Sequence, residues 1–114
     1  MEDFVKQTLL FDFYGELLTE HQQRIYEDVV CNDLSLSEAA QELGVSRQNV
    51  HDLIRRCNRQ LEEYESRLHL VEKFLDLRAK VGELRGCAAE AQKTGEPADL
   101  AGMVRLCDEI LEEL

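Results

Sequence analysis

Apolar residues recur at intervals of three and four along nearly the whole chain, and no segment alternates strictly between apolar and polar residues. Spacing of this kind places apolar side chains on one face of an α-helix, whereas strict alternation is typical of a half-buried strand. The pattern therefore predicts an all-α protein.

The first part of this pattern predicts three short helices. The first covers residues 4–17, with Phe11 and Tyr14 on its apolar face. The second and third begin after Thr19 and Ser35, because each of these is followed three residues later by Gln or Glu, which is the spacing of a capping box.

A helix-turn-helix is predicted around Gly44. Glycine is the usual residue for the left-handed conformation that ends a helix, and Ser46 is a good N-cap for the next helix. Small residues before the turn allow close approach of the two helices, and apolar residues after it supply contacts across the junction. These residues are Ala39 and Ala40, then Val45, Val50 and Ile54.

A repeat of 3.5 residues continues beyond the turn. Its apolar positions advance by alternating steps of four and three, which predicts one helix of about 35 residues. They are Val50, Ile54, Cys57, Leu61, Tyr64, Leu68, Val71 and Leu75. We call this stripe of apolar positions the seam. The upstream helices are too short to cover it, so we expect the C-terminal segment or a second copy of the chain to pack against it. We favour a homodimer that packs along the residues from Ile54 to Leu75.

The end of the chain predicts one more helix. Gly82 and Gly86 loosen the long helix, residues 94–97 form a turn, and the last helix begins near Ala98. Its apolar stripe, opposite a strongly acidic face, comprises Leu100, Met103, Val104, Cys107, Ile110, Leu111 and Leu114. We therefore divide the chain into a helix-turn-helix domain with the start of the long helix, residues 1–75, and a second part, residues 76–114.

Length and charge limit the function. A chain of 114 residues is the size of one domain, and its 13 basic against 24 acidic residues give a net charge of −11. Such an excess argues against a protein whose whole surface coats nucleic acid or an anionic membrane. The opening ten residues lack a basic segment, and no stretch approaches 18 apolar residues. We expect a cytoplasmic protein without membrane insertion.

One segment differs in charge. Residues 45–60 hold four arginines against Asp52, a net charge of +3. On a helix of 3.6 residues per turn the polar side chains of this segment face away from its apolar side, where the second helix of a helix-turn-helix contacts bases and phosphates. The candidate nucleic-acid-binding residues are Ser46, Arg47, Gln48, Asn49, His51, Arg55, Arg56 and Arg59.

Two features oppose this interpretation. The arginines can instead pair with neighbouring carboxylates, as Arg59 can with Glu62 or Glu63. Asp52 also lies in the middle of the polar face and repels phosphate.

The residue types that carry catalysis or bind metals are scattered. The four cysteines lack C-x-x-C spacing and are expected to be reduced and apolar in role, and the three histidines form no ligand pair. Phosphate-loop, G-x-S-x-G and H-E-x-x-H motifs are absent from the sequence. We expect neither an enzyme nor a metal or cofactor site.

Three ordered segments, residues 11–19, 33–52 and 61–68, resemble the YlxM family of small bacterial proteins. The resemblance covers roughly residues 4–75 and is weak beyond them. The family-like positions on the second helix of the motif are Ser46, Arg47, Gln48, Asp52 and Arg56, whereas Asn49 and His51 depart from the family pattern, which has a small residue and an aromatic there.

This resemblance implies a domain similar to region 4 of sigma factors, with no catalytic residue to inherit. It also implies a regulatory or accessory role in the signal recognition particle pathway, through contact with the particle's RNA or its GTPase. A regulator that binds duplex DNA and a protein-interaction module without nucleic-acid binding are the alternatives.

Overall fold

The computed structural model describes residues 3–114, and most of them are helical. The helices are α1 (Asp3–Tyr14), α2 (Glu20–Tyr26), α3 (Leu36–Leu43), α4 (Arg47–Leu68), α5 (Leu70–Thr94) and α6 (Leu100–Glu113). A 3₁₀ turn, Gly15–Leu17, follows α1, and a π-helical turn, Glu27–Cys31, follows α2. Residues 3–114 contain no strand, which confirms the predicted all-α fold.

The predicted helix starts are confirmed by their capping bonds. At α2, Thr19 Oγ1 accepts a hydrogen bond from the Gln22 backbone N–H at 3.2 Å, and Gln22 Oε1 accepts one from the Thr19 N–H at 3.0 Å. This is the complete capping box. At α3, Ser35 Oγ accepts from the Glu38 N–H at 3.0 Å. Local side-chain chemistry therefore sets where both helices begin.

The helix-turn-helix is formed by α3, a turn at Gly44, and α4. Gly44 has φ 68° and ψ 30°, and the Val45 N–H donates to the Ala40 carbonyl at 3.1 Å. Ala39 and Ala40 are buried with Val50 in one apolar cluster, as predicted. Val45 differs from the prediction: its side chain is 43% exposed, because the tight turn directs it towards the surface rather than into the junction.

The chain divides into two units between Val71 and Glu72. In the first unit, α1, α2 and α3 all pack against α4. Tyr26 of α2 is fully buried, stacks on Phe11 with ring centroids 5.2 Å apart, and donates a hydrogen bond to Asn58 Oδ1 at 2.5 Å. The first three helices thus cover the buried face of α4.

The prediction of one long helix is wrong at His69. This residue has φ 55° and ψ 28°, in the left-handed region, and separates α4 from α5. At this break the first backbone N–H groups of α5 are hydrogen-bonded to side chains. Glu65 Oε1 accepts from the Val71 N–H at 2.9 Å, and Tyr14 Oη accepts from the Leu70 N–H at 3.1 Å. Tyr14 in turn donates to Glu65 Oε1 at 2.5 Å. These side chains cap the start of α5 in place of a continuous helix.

We expect Tyr14→Phe to lower the free energy of unfolding by about 1–3 kcal/mol, because it leaves the Leu70 N–H without its acceptor and removes a bond to Glu65. Burial and the bond to Glu65 raise the pKa of Tyr14, so the hydroxyl keeps its proton across the physiological range. Urea denaturation measures the change. Tyr64→Phe is the matched control, since within the described chain the Tyr64 hydroxyl makes no hydrogen bond. Equal losses in both variants would contradict this role of Tyr14.

The second unit contains most of α5 and the whole of α6. Asp99 is the N-cap of α6, where its Oδ1 accepts from the Gly102 N–H at 3.1 Å, so the helix starts at Leu100, two residues after the predicted start. Lys80 Nζ lies 3.1 Å from Asp76 Oδ2 and 3.5 Å from Glu113 Oε2, which ties α5 to the end of α6. The buried apolar residue of α6 is Leu106, which the predicted stripe omitted. Much of that stripe is exposed, namely Leu100, Val104, Leu111 and Leu114.

Candidate nucleic-acid interface

The outward face of α4 begins directly after the Gly44 turn. On the opposite side of the helix, Val50 and Cys57 are buried against the rest of the first unit. All eight residues predicted to bind nucleic acid are exposed: Ser46, Arg47, Gln48, Asn49, His51, Arg55, Arg56 and Arg59.

These exposed residues do not all point the same way. At about 100° per residue, Gln48, His51, Arg55 and Arg59 lie within roughly 80° of one another. Arg47 and Arg56 flank this set on either side. We call the six residues together the basic face.

The carboxylate of Asp52 contacts two residues of the basic face, Gln48 and His51. Gln48 Nε2 donates to Asp52 Oδ1 at 3.0 Å, and His51 Nδ1 lies 3.9 Å from the same oxygen. Ser46 has a capping role, since its Oγ accepts from the Asn49 N–H at 3.1 Å. Ser46 therefore serves as the N-cap of α4, and the Gln48 side chain is hydrogen-bonded to Asp52.

The arginines of the basic face form no ion pair with any acidic side chain that the structure describes. The two carboxylates expected to pair with Arg59 have other partners: Glu62 lies 3.3 Å from Lys6 Nζ, and Glu63 lies 3.4 Å from an Arg67 nitrogen. Among the side chains of residues 4–114, no carboxylate lies within 4.0 Å of a nitrogen of the four arginines at positions 47, 55, 56 and 59. Their charges are available to an anionic partner.

Cavities lie on both sides of this face. One, of about 440 Å³, is lined by Leu36, Arg47, Gln48 and His51. The other, of about 660 Å³, is formed by α2, the Gly44 turn and α4. We call it the turn cavity. Its residues include His21 and Leu43, which sequence reasoning missed because nothing in their local spacing shows that α2 lies beside α4.

The predicted seam lies largely inside the first unit. Cys57, Leu61 and Val71 are buried within one chain, and burial raises the pKa of the Cys57 thiol. Ile54, Tyr64 and Leu75 are half-buried, and Leu68 is 53% exposed. Because α1, α2 and α3 cover α4, its buried positions need neither of the two expected partners. The homodimer stays a prediction, but the buried positions of α4 no longer support it.

The described helices include none that is both long enough and apolar enough to cross a membrane.

Comparisons with known proteins agree with this motif. Residues 1–97 match the model of the UPF0122 family, described as "Putative helix-turn-helix protein, YlxM / p13 like". The chain is 43% identical over 86 residues to a UPF0122 protein of Caldanaerobacter subterraneus, a match covering 75% of this chain and 74% of the relative. It is 46% identical over 92 residues to one of Shouchella clausii, covering 81% and 84%. With one of Symbiobacterium thermophilum it shares 54% identity over 71 residues, covering 62% and 66%.

Proposed function

This chain belongs to the UPF0122 family of YlxM/p13-like helix-turn-helix proteins, and we propose that it is a non-enzymatic protein that binds nucleic acid through the basic face of α4. The observation that carries this proposal is the set of four arginines on this face, none of which is paired with a carboxylate among the side chains of residues 4–114. Arginine on the outward face of such a helix makes charge-assisted bonds to phosphates and paired bonds to base edges.

The charge of the whole chain restricts how this binding works. With a net charge of −11, most of the surface repels nucleic acid, so attraction is confined to the basic face. Binding of this kind is local, modest in affinity and sensitive to salt. It suits an accessory factor that contacts one structured element better than a protein that coats a long nucleic acid.

The resemblance to YlxM proteins makes the signal recognition particle the setting of this proposal, with its RNA as the favoured ligand and its GTPase as the alternative partner. Such a role places the protein in the cytoplasm and needs no cofactor.

Titration of the full chain against particle RNA, a duplex DNA and the purified GTPase tests the proposal. We expect binding to the RNA with an affinity that falls linearly on a log–log plot against salt. Tighter binding to duplex DNA would indicate a transcription regulator. Binding to the GTPase alone, with no nucleic acid bound at low salt, would contradict the proposal and identify a protein-interaction module.

A further inference from the structure

The turn cavity adjoins the basic face. Its volume of about 660 Å³ is within the range of small-molecule sites, roughly 300–1,000 Å³. The lining residues on which the argument depends are Ile25, Leu43, Val45, Val50, Asp52 and Arg56.

The lining combines apolar walls with a polar rim. Ile25 and Val50 belong to the buried cluster, while Leu43 and Val45 are large apolar side chains that stay partly exposed at the turn. The polar residues of the lining are exposed. A flat apolar ring with hydrogen-bonding groups on its edge matches this arrangement, and an unpaired nucleobase has that chemistry.

The cavity is continuous with the proposed nucleic-acid interface through two residues. Arg56 belongs to the basic face and also lines the cavity, and Asp52 lies between Gln48 of that face and the cavity. A strand whose phosphates contact the arginines therefore passes the mouth of the cavity. Arg56 also offers a guanidinium plane on which a base can stack.

Asp52 is the residue that simple phosphate binding leaves unexplained. Its carboxylate repels phosphate, yet the Gln48 amide holds it in place at the edge of the cavity. An ionised carboxylate only accepts hydrogen bonds, and its two oxygens accept a pair of adjacent donors. Among the four RNA bases, guanine alone presents two adjacent N–H donors, at N1 and N2, on its Watson–Crick edge.

We propose that the turn cavity binds an unpaired guanine of a structured RNA, with Asp52 accepting from the N1 and N2 groups and the apolar wall of Leu43 and Val45 against the ring. The inference rests on the proposed function, because the cavity meets the base only when the basic face holds the strand. It deepens that function by naming the recognised element as an unpaired guanine rather than a continuous duplex.

Hairpin RNAs with the same stem and loop length provide the test. The loops carry guanosine, inosine or adenosine at the same positions. We expect roughly 10- to 100-fold tighter binding of the guanosine loop than of the adenosine loop, the discrimination of one paired contact. Inosine, which lacks the 2-amino group, is expected to lie between them. Equal binding of all three loops would overturn the inference.

Asp52→Asn separates recognition from charge. We expect it to abolish the preference for guanosine and to strengthen binding of the adenosine loop, because it removes one charge that repels phosphate. Glu42→Gln is the matched control, since Glu42 is exposed on α3 and does not line the cavity. It removes the same charge and is expected to keep the preference. A preference that survives Asp52→Asn would contradict the assigned role of Asp52.

Val45→Phe tests the cavity itself. The larger side chain occupies the mouth from an exposed position, so we expect loss of the guanosine preference with unchanged affinity for a fully paired RNA and unchanged helix content. If hairpins bind without any base preference, the guanine site fails while the proposed function stands. If no RNA or DNA binds at low salt, both fail.

Discussion

Replacing Arg55 and Arg59 together with alanine is expected to weaken nucleic-acid binding by about 30- to 150-fold at moderate salt. The estimate takes about 1–1.5 kcal/mol for each exposed, partly screened contact to phosphate. Both side chains lie on the outward face of α4 without a neutralising carboxylate in the described chain. The variant should fold normally, because alanine is the better helix former.

The salt dependence identifies the mechanism of this loss. Each phosphate contact contributes about −0.9 to the log–log slope on duplex DNA and about −0.7 on single strands, so the double variant should flatten the slope by about 1.8 or 1.4 units. Arg78→Ala with Arg85→Ala removes the same charge from exposed positions of α5 and serves as the control. We expect Gln48→Ala to change the preference among sequences with little change in slope, because an uncharged side chain displaces no counterion.

Binding of the double variant at the parent's affinity would show that the basic face is only a solvated surface. The protein-interaction alternative would then be favoured, as the net charge of −11 permits.

The helix-turn-helix was predictable because its signals are local. Gly44 ends α3 through its own backbone conformation, and Ser46 begins α4 by bonding an N–H three residues away. Such signals depend on neighbours in the sequence, so they keep their meaning in the folded chain. For the same reason the exposed polar face of α4 followed directly from its helical spacing.

The break at His69 was not predictable, because its cause is distant in the sequence. The residues that cap α5 include Tyr14, which donates to Glu65 across 51 positions and accepts from the Leu70 N–H across 56. A 3.5-residue repeat continues through this point and shows nothing of those contacts. The turn cavity was not predicted for a related reason: His21 and Asn49 line the same cavity only because α2 packs beside α4.

The seam shows a different limit. Its periodicity correctly indicated which face of α4 is buried, since Val50, Cys57 and Leu61 are almost inaccessible to solvent. A periodic pattern shows that one face of a helix is apolar, but it does not identify the segment that packs against that face. Three short helices arranged side by side cover a length that none of them covers alone.

Leu61→Ala is accordingly expected to lower the free energy of unfolding by about 2–5 kcal/mol, the cost of removing a fully buried leucine and leaving a cavity. Leu61 is 0% exposed within a single chain, whereas Leu68, on the same seam, is 53% exposed. Leu68→Ala is the matched control and should cost less than about 0.5 kcal/mol, as surface substitutions usually do.

Urea denaturation of these two variants at several protein concentrations tests whether the seam is covered by the same chain or by a second copy. Because α1, α2 and α3 belong to the same chain as α4, burial of Leu61 needs no second copy, and the loss caused by Leu61→Ala should be the same at every concentration. A dimer held along α4 predicts a midpoint that rises with concentration and a large loss for Leu68→Ala. Sedimentation of the parent and of both variants at the mass of a single chain would complete the case that α4 is buried by its own chain and that its basic face is free for a ligand.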